Sequence, residues 1–132
     1  MKTNKYYTPN LEEFCVGFEF EDSYGDGEYA KNSIDQLNIK DVIGSFLKKE
    51  VDIRVKYLDS EDIESLGFKY CKKSDLATIY SYKDYFIAYY NSGHISITEI
   101  GEMCRRDTIL FNGRIKNKSE LKRILKMIGV TE

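Results

Sequence analysis

Between Phe68 and Ile115 lie five short segments, 68–72, 77–82, 85–91, 94–100 and 108–115, each rich in Ile, Tyr, Phe or Thr. Lys83-Asp84 and Ser92-Gly93 leave room only for tight turns between three of them. Turns that short join antiparallel neighbours, because a parallel return needs a crossover of a dozen residues or more. The spacing therefore predicts an antiparallel meander over the C-terminal half. Only the 101–107 connection is long, and it carries Cys104, Arg105 and Arg106.

Upstream, Phe14, Val16, Phe18 and Phe20 alternate with Glu19 and Glu21, which predicts a half-buried strand. Lys5 to Asn10 read as an extended arm, since Pro9 disfavours helix at Thr8 and lacks an amide donor. The acidic, glycine-containing stretch 22–28 is expected to be a mobile loop, and the polar residues up to Asn38 fit neither helix nor strand clearly. Ile39, Ile43, Phe46 and Leu47 make a helical stripe over 39–49, although Gly44 weakens it. Val51, Ile53, Val55 and Tyr57 form a second alternating strand.

Asp59 caps a short helix over 60–66 that Gly67 ends. The last element is an amphipathic helix with Asn117 and Glu120 at capping-box spacing. Its apolar stripe is Leu121, Ile124, Leu125 and Ile128, and Gly129 and Val130 close it. The expectation is an α+β fold, a mainly antiparallel sheet with one face covered by helices. At 132 residues the chain is expected to form one domain, 1–132, with residues 1–10 as the arm.

Chemistry is sparse. His94 is the lone histidine, and a nucleophilic triad around it has no local support. Cys15, Cys71 and Cys104 are too far apart for a paired zinc motif and are expected as free, buried thiols. Asp22, Asp26 and Gly27 match part of a calcium loop, but Tyr24 and Ser33 occupy ligand positions. Glu12-Glu13 and Glu61-Asp62 are adjacent and point apart, which makes no acid–base pair. Phosphate-loop motifs are absent. No metal, no cofactor and no enzymatic activity are expected.

Charge and aromatics remain. Residues 1–66 hold 8 Lys/Arg against 15 Asp/Glu and residues 67–132 hold 12 against 7, so the halves carry −7 and +5. Either they form surfaces of opposite sign or they neutralise one another. Eleven Tyr and no Trp occur, with Tyr80, Tyr82, Tyr85, Tyr89 and Tyr90 around one hairpin and Lys69, Lys72, Lys73 and Lys83 nearby. Tyrosines stack on bases and basic groups hold phosphates, but tyrosines also favour strands without any ligand. An acidic pI of 5.6 argues against long nucleic acid as a partner. No apolar run approaches a membrane span, and no apolar leader follows Met1, so a cytoplasmic location is expected.

Three segments, 5–20 through Tyr6-Tyr7-Thr8-Pro9 and Gly17-Phe18-Glu19-Phe20, 54–68, and 111–121, resemble a group of small proteins encoded by tailed phages and prophages of gut bacteria. The resemblance brings no catalytic residues. It implies an accessory role in the host cytoplasm: a counter-defence binding protein that sequesters a nucleotide immune signal or occludes a host immune protein. The expected contacts are Arg105, Arg106, Lys72, Lys73, Tyr82 and Tyr85. The alternative is an assembly component that forms a homo-oligomer through its sheet edge and the Tyr6-Tyr7 arm.

Overall fold

The computed structural model describes residues 5–101 and 107–131. The fold is α+β, with two antiparallel sheets, and the chain divides into two compact units, 1–57 and 58–132.

The first unit holds strands β1 (Tyr6–Tyr7), β2 (Glu19–Ser23) and β3 (Ala30–Ser33), helix α1 (Ile39–Leu47) and strand β4 (Asp52–Lys56). The sheet order is β1-β4-β2-β3. Phe14, Phe18, Phe20, Ile34, Val51, Ile53 and Val55 are buried, with Ile39, Val42, Ile43 and Phe46 of α1 packed against them. The strand expected from Phe14 starts later. The Phe18 amide donates to the Cys15 carbonyl at 3.0 Å, and Gly17 takes φ +94°, so residues 15–18 form a turn that only a residue free of Cβ strain makes readily. Val16 leaves the apolar row and is 55% exposed.

A second correction concerns the stretch after residue 28. Ala30–Ser33 pairs with β2, Phe20 opposite Asn32 and Asp22 opposite Ala30, where a mobile loop and an unassigned polar stretch were expected. All four of its residues are exposed, so the strand carries no apolar alternation.

The arm is docked as β1, with Tyr7 opposite Val55. The Arg54 guanidinium lies between the rings of Tyr6 and Tyr29, 3.7 and 3.8 Å from their centroids, and its Nη2 donates to Glu21 Oε1 at 2.7 Å. Three chain segments thus meet on one cation.

The second unit runs α2 (Ser60–Ser65), β5 (Lys69–Lys73), β6 (Ala77–Tyr82), β7 (Tyr85–Tyr90), β8 (His94–Glu99), β9 (Thr108–Arg114) and α3 (Lys118–Met127). Its strands follow sequence order, β5-β6-β7-β8-β9, as the short turns demand. Tyr80, Ile87 and Ile97 pair across three strands and project to one face, where Ile63 of α2 and Leu121 and Leu125 of α3 bury them. Asp59 Oδ1 accepts from the Asp62 amide at 3.0 Å, and Asn117 Oδ1 accepts from the Glu120 amide at 2.8 Å, so each helix has its expected cap.

Two phenols tie the start of α2 and the segment before it to the sheet. Tyr80 donates to Ser60 Oγ at 2.6 Å and Tyr89 to the Leu58 carbonyl at 2.7 Å. Burial, with Asp59, Tyr80 and Asp62 adding to it, pushes the Tyr89 phenol above its ordinary value of 10.0.

The unit boundary redistributes charge. The acidic helix α2 belongs to the second unit, so residues 1–57 hold 8 Lys/Arg against 11 Asp/Glu and residues 58–132 hold 12 against 11. The strong polarity of the two sequence halves is therefore largely cancelled within the second unit. Among the described residues no helix is long and apolar enough to cross a membrane.

Leu125 has no exposed surface, so Leu125→Ala is expected to cost about 2–5 kcal/mol in urea unfolding. A raised Tyr89 pKa means that the unfolded chain loses this proton first as pH rises. Its contribution is complete below pH 10 and disappears above, as pH passes the folded value. Tm measured from pH 9 to 11 is expected to fall less steeply in Tyr89→Phe than in the native protein.

Candidate functional site

The helices cover one face of the five-stranded sheet, and the opposite face carries the site. Side chains alternate along a strand, so while Ile95 and Ile97 go into the core, His94, Ser96 and Thr98 go to the other face. The register sets Ser96 opposite Asn112 and His94 opposite Arg114. Tyr90 ends β7 beside them, its ring edge-on to the His94 imidazole at 5.9 Å.

The turn after β7 positions the arginine. The Gly93 amide donates to the Tyr90 carbonyl at 2.9 Å, and Gly93 has φ +91°, the left-handed residue that a hairpin of this length needs. Arg114 Nη1 lies where a Cβ on Gly93 would come within 3.3 Å, and it donates to the Ser92 carbonyl at 2.7 Å. Glycine thus leaves the room in which the guanidinium rests on the turn. His94 Nε2 is hydrogen-bonded to Asn112 Oδ1, which fixes the ring across the β8–β9 pair.

Tyr90, Ser92, His94, Ser96, Ile109, Asn112 and Arg114 line a shallow cleft of about 500 Å³. None of them is a carboxylate. A guanidinium, an imidazole, hydroxyls and an amide surround an aromatic edge and an isoleucine, a donor-rich set suited to an anion that also carries a flat or apolar part. The hydrogen-bond partner of His94 is an amide, so no carboxylate orients it as in a nucleophilic triad. Among the described residues no group of three or more His, Cys, Asp and Glu side chains is placed to hold a metal ion.

Of the six residues expected from the sequence, the four described ones, Lys72, Lys73, Tyr82 and Tyr85, do not come together. Arg105 and Arg106 lie outside the described residues. On either side of them, the Ile100 amide donates to the Asp84 carbonyl at 2.8 Å and the Gly101 amide to Asp107 Oδ1 at 2.8 Å. Those flanks sit at the Glu99 end of β8, five residues and about 17 Å by strand rise from His94.

Tyr82 and Tyr85 pair across the hairpin at that same end. Both rings pack partly against the helix-covered core, Tyr82 with its centroid 5.3 Å from that of Phe68. Lys72 pairs with Ile79 and Lys73 with Thr78, so both lie at the other end of β6. Lys72 shares the open face and the cross-strand row of Ala88, Ser96 and Asn112, about 14 Å from Ser96 by strand spacing. Lys73, one residue on, belongs to the opposite face.

Cysteine placement departs from expectation too. Cys71 is exposed, with Sγ 3.1 Å from Ser81 Oγ, because β5 is an edge strand with every residue at the surface, and Cys15 is half-buried.

Sequence reasoning missed Arg114, Asn112 and Ser96, set His94 aside for want of catalytic partners, and grouped Tyr90 with the other tyrosines. The signal was present in the polar members of two strands, His94-x-Ser96-x-Thr98 and Asn112-x-Arg114. Reading it requires the pairing register, which brings residues 94 and 112 together. The chain matches no family model, no curated protein and no solved structure.

Gly93→Ala is expected to strain the left-handed turn and push the guanidinium off it. The checks are a fall in Tm corresponding to about 1 kcal/mol or more and a shifted Arg114 Nε–H resonance, with the core methyl signals unchanged.

Proposed function

We propose that this protein is a non-enzymatic binding protein that captures a phosphate-bearing nucleotide on the open face of its five-stranded sheet. In this reading Arg114 takes the phosphate through charge-assisted hydrogen bonds, with Ser96 and Asn112 as further polar contacts. Tyr90, His94 and Ile109 supply the surface for the base. The observation that supports it is the cleft lining, which joins a guanidinium pinned on a turn to aromatic and hydroxyl groups with no carboxylate among them. The cellular role proposed with it, that of a phage accessory factor in the host cytoplasm that withholds a nucleotide immune signal, draws its support from the resemblance of residues 5–20, 54–68 and 111–121 to phage-encoded proteins.

Isothermal titration with cyclic mononucleotides, cyclic dinucleotides and inorganic phosphate is the test. At least one nucleotide is expected to bind more tightly than phosphate alone. Arg114→Ala is expected to weaken it at least tenfold, the effect of losing about 1.5 kcal/mol or more from a charged hydrogen bond. The double variant Arg105→Ala/Arg106→Ala is expected to bind as the native protein does, since the flanks of that loop lie at the other end of the sheet. Absence of nucleotide binding overturns the reading, and so does native affinity in both Arg114→Ala and His94→Ala.

A further inference from the structure

The first unit contains a separate cavity of about 210 Å³, bounded by β2, β3, β4 and α1. Phe20, Val42, Val51 and Ile53 give it apolar walls, and Asp22, Asp41, Asn32 and Ser45 give it polar ones. It exceeds the ~150 Å³ of an engineered cavity that accepts benzene. No lysine or arginine lines it.

Asp22 is the unusual member. It sits opposite Ile53 on the core side of β2 and is only 9% exposed. Its carboxylate accepts one side-chain hydrogen bond among the described residues, from Asn32 Nδ2 to Oδ2 at a long 3.4 Å. A buried carboxylate is ordinarily matched by a cation or by several donors. The nearest cations in the strand register, Lys31 and Arg54, both stand opposite Glu21 on the other face of the sheet, and Arg54 is bound to it. Oδ1 has no described donor, and since no fully buried side-chain oxygen among the described residues lacks a partner, it keeps some open surface in a residue that lines a cavity with a second carboxylate, Asp41.

The geometry points to a binding site for a primary ammonium group on a short alkyl stem. The ammonium supplies three donors and a positive charge to Asp22 and Asp41, and the stem lies against Phe20, Val42 and Ile53. Two sources share this chemistry, a free alkylamine and a lysine side chain, and the test separates them.

The native protein is titrated with n-butylammonium, with Nα-acetyl-lysine N-methylamide and with n-butanol, followed by amide NMR shifts in β2, β3 and α1. n-Butylammonium is expected to shift Phe20, Asp22, Asn32 and Val42 and to bind at least tenfold more tightly than n-butanol. Asp22→Asn is expected to remove that preference. Comparable binding of the lysine derivative assigns the site to a side chain, and preference for n-butylammonium assigns it to a free amine. Equal binding of n-butanol overturns the proposal in favour of an unselective apolar cavity. Absence of any shift, or retained preference in a folded Asp22→Asn variant, overturns it outright.

Discussion

The second unit depends on strand register. Tyr82 stands opposite Tyr85 across one turn, and the Gly93-closed turn sets Tyr89 opposite Ile95 across the next. Because side chains alternate at period two, a slip of one residue would move Ile95 and Ile97 to the open face and His94 and Ser96 into the core. The same two turns therefore decide both what α3 packs on and which polar groups line the cleft. Leu121 and Leu125 reinforce the choice, since their burial is available in one register only.

The strands of the meander were legible because each pairs a run of Ile, Tyr or Phe with a turn signal, and their observed ends fall within a residue of those expected. The caps at Asp59 and Asn117 were legible for a local reason: one side chain meets one amide three residues on. β3 was not, because Ala30-Lys31-Asn32-Ser33 lies at a sheet edge and buries nothing. Val16 misled because its apolar character fitted an alternation that Gly17 interrupts.

The candidate site was the least legible part. Arg114 and His94 acquire meaning through cross-strand placement, and no spacing along the chain reveals it. Lys72 and Lys73 look like one basic pair in sequence, but a strand sends them to opposite faces. Tyr82 and Tyr85 were selected as stacking groups, and their rings are partly taken up by the hydrophobic cluster. The division at residue 57 also changes what charge means here, since four carboxylates of residues 59–64 accompany the basic strands within one unit.

Strand β5 ends the five-stranded sheet with one row of backbone donors and acceptors facing outward. Such a row is a template for accretion of further chains. Lys69, Lys72 and Lys73 stand along it, and the irregular register between Tyr70 and Lys72 spoils its flatness. Like-charged ammonium groups brought edge to edge repel, and a bulged strand offers no continuous ladder to copy. Both features disfavour edge-to-edge pairing of this tyrosine-rich sheet with a second copy.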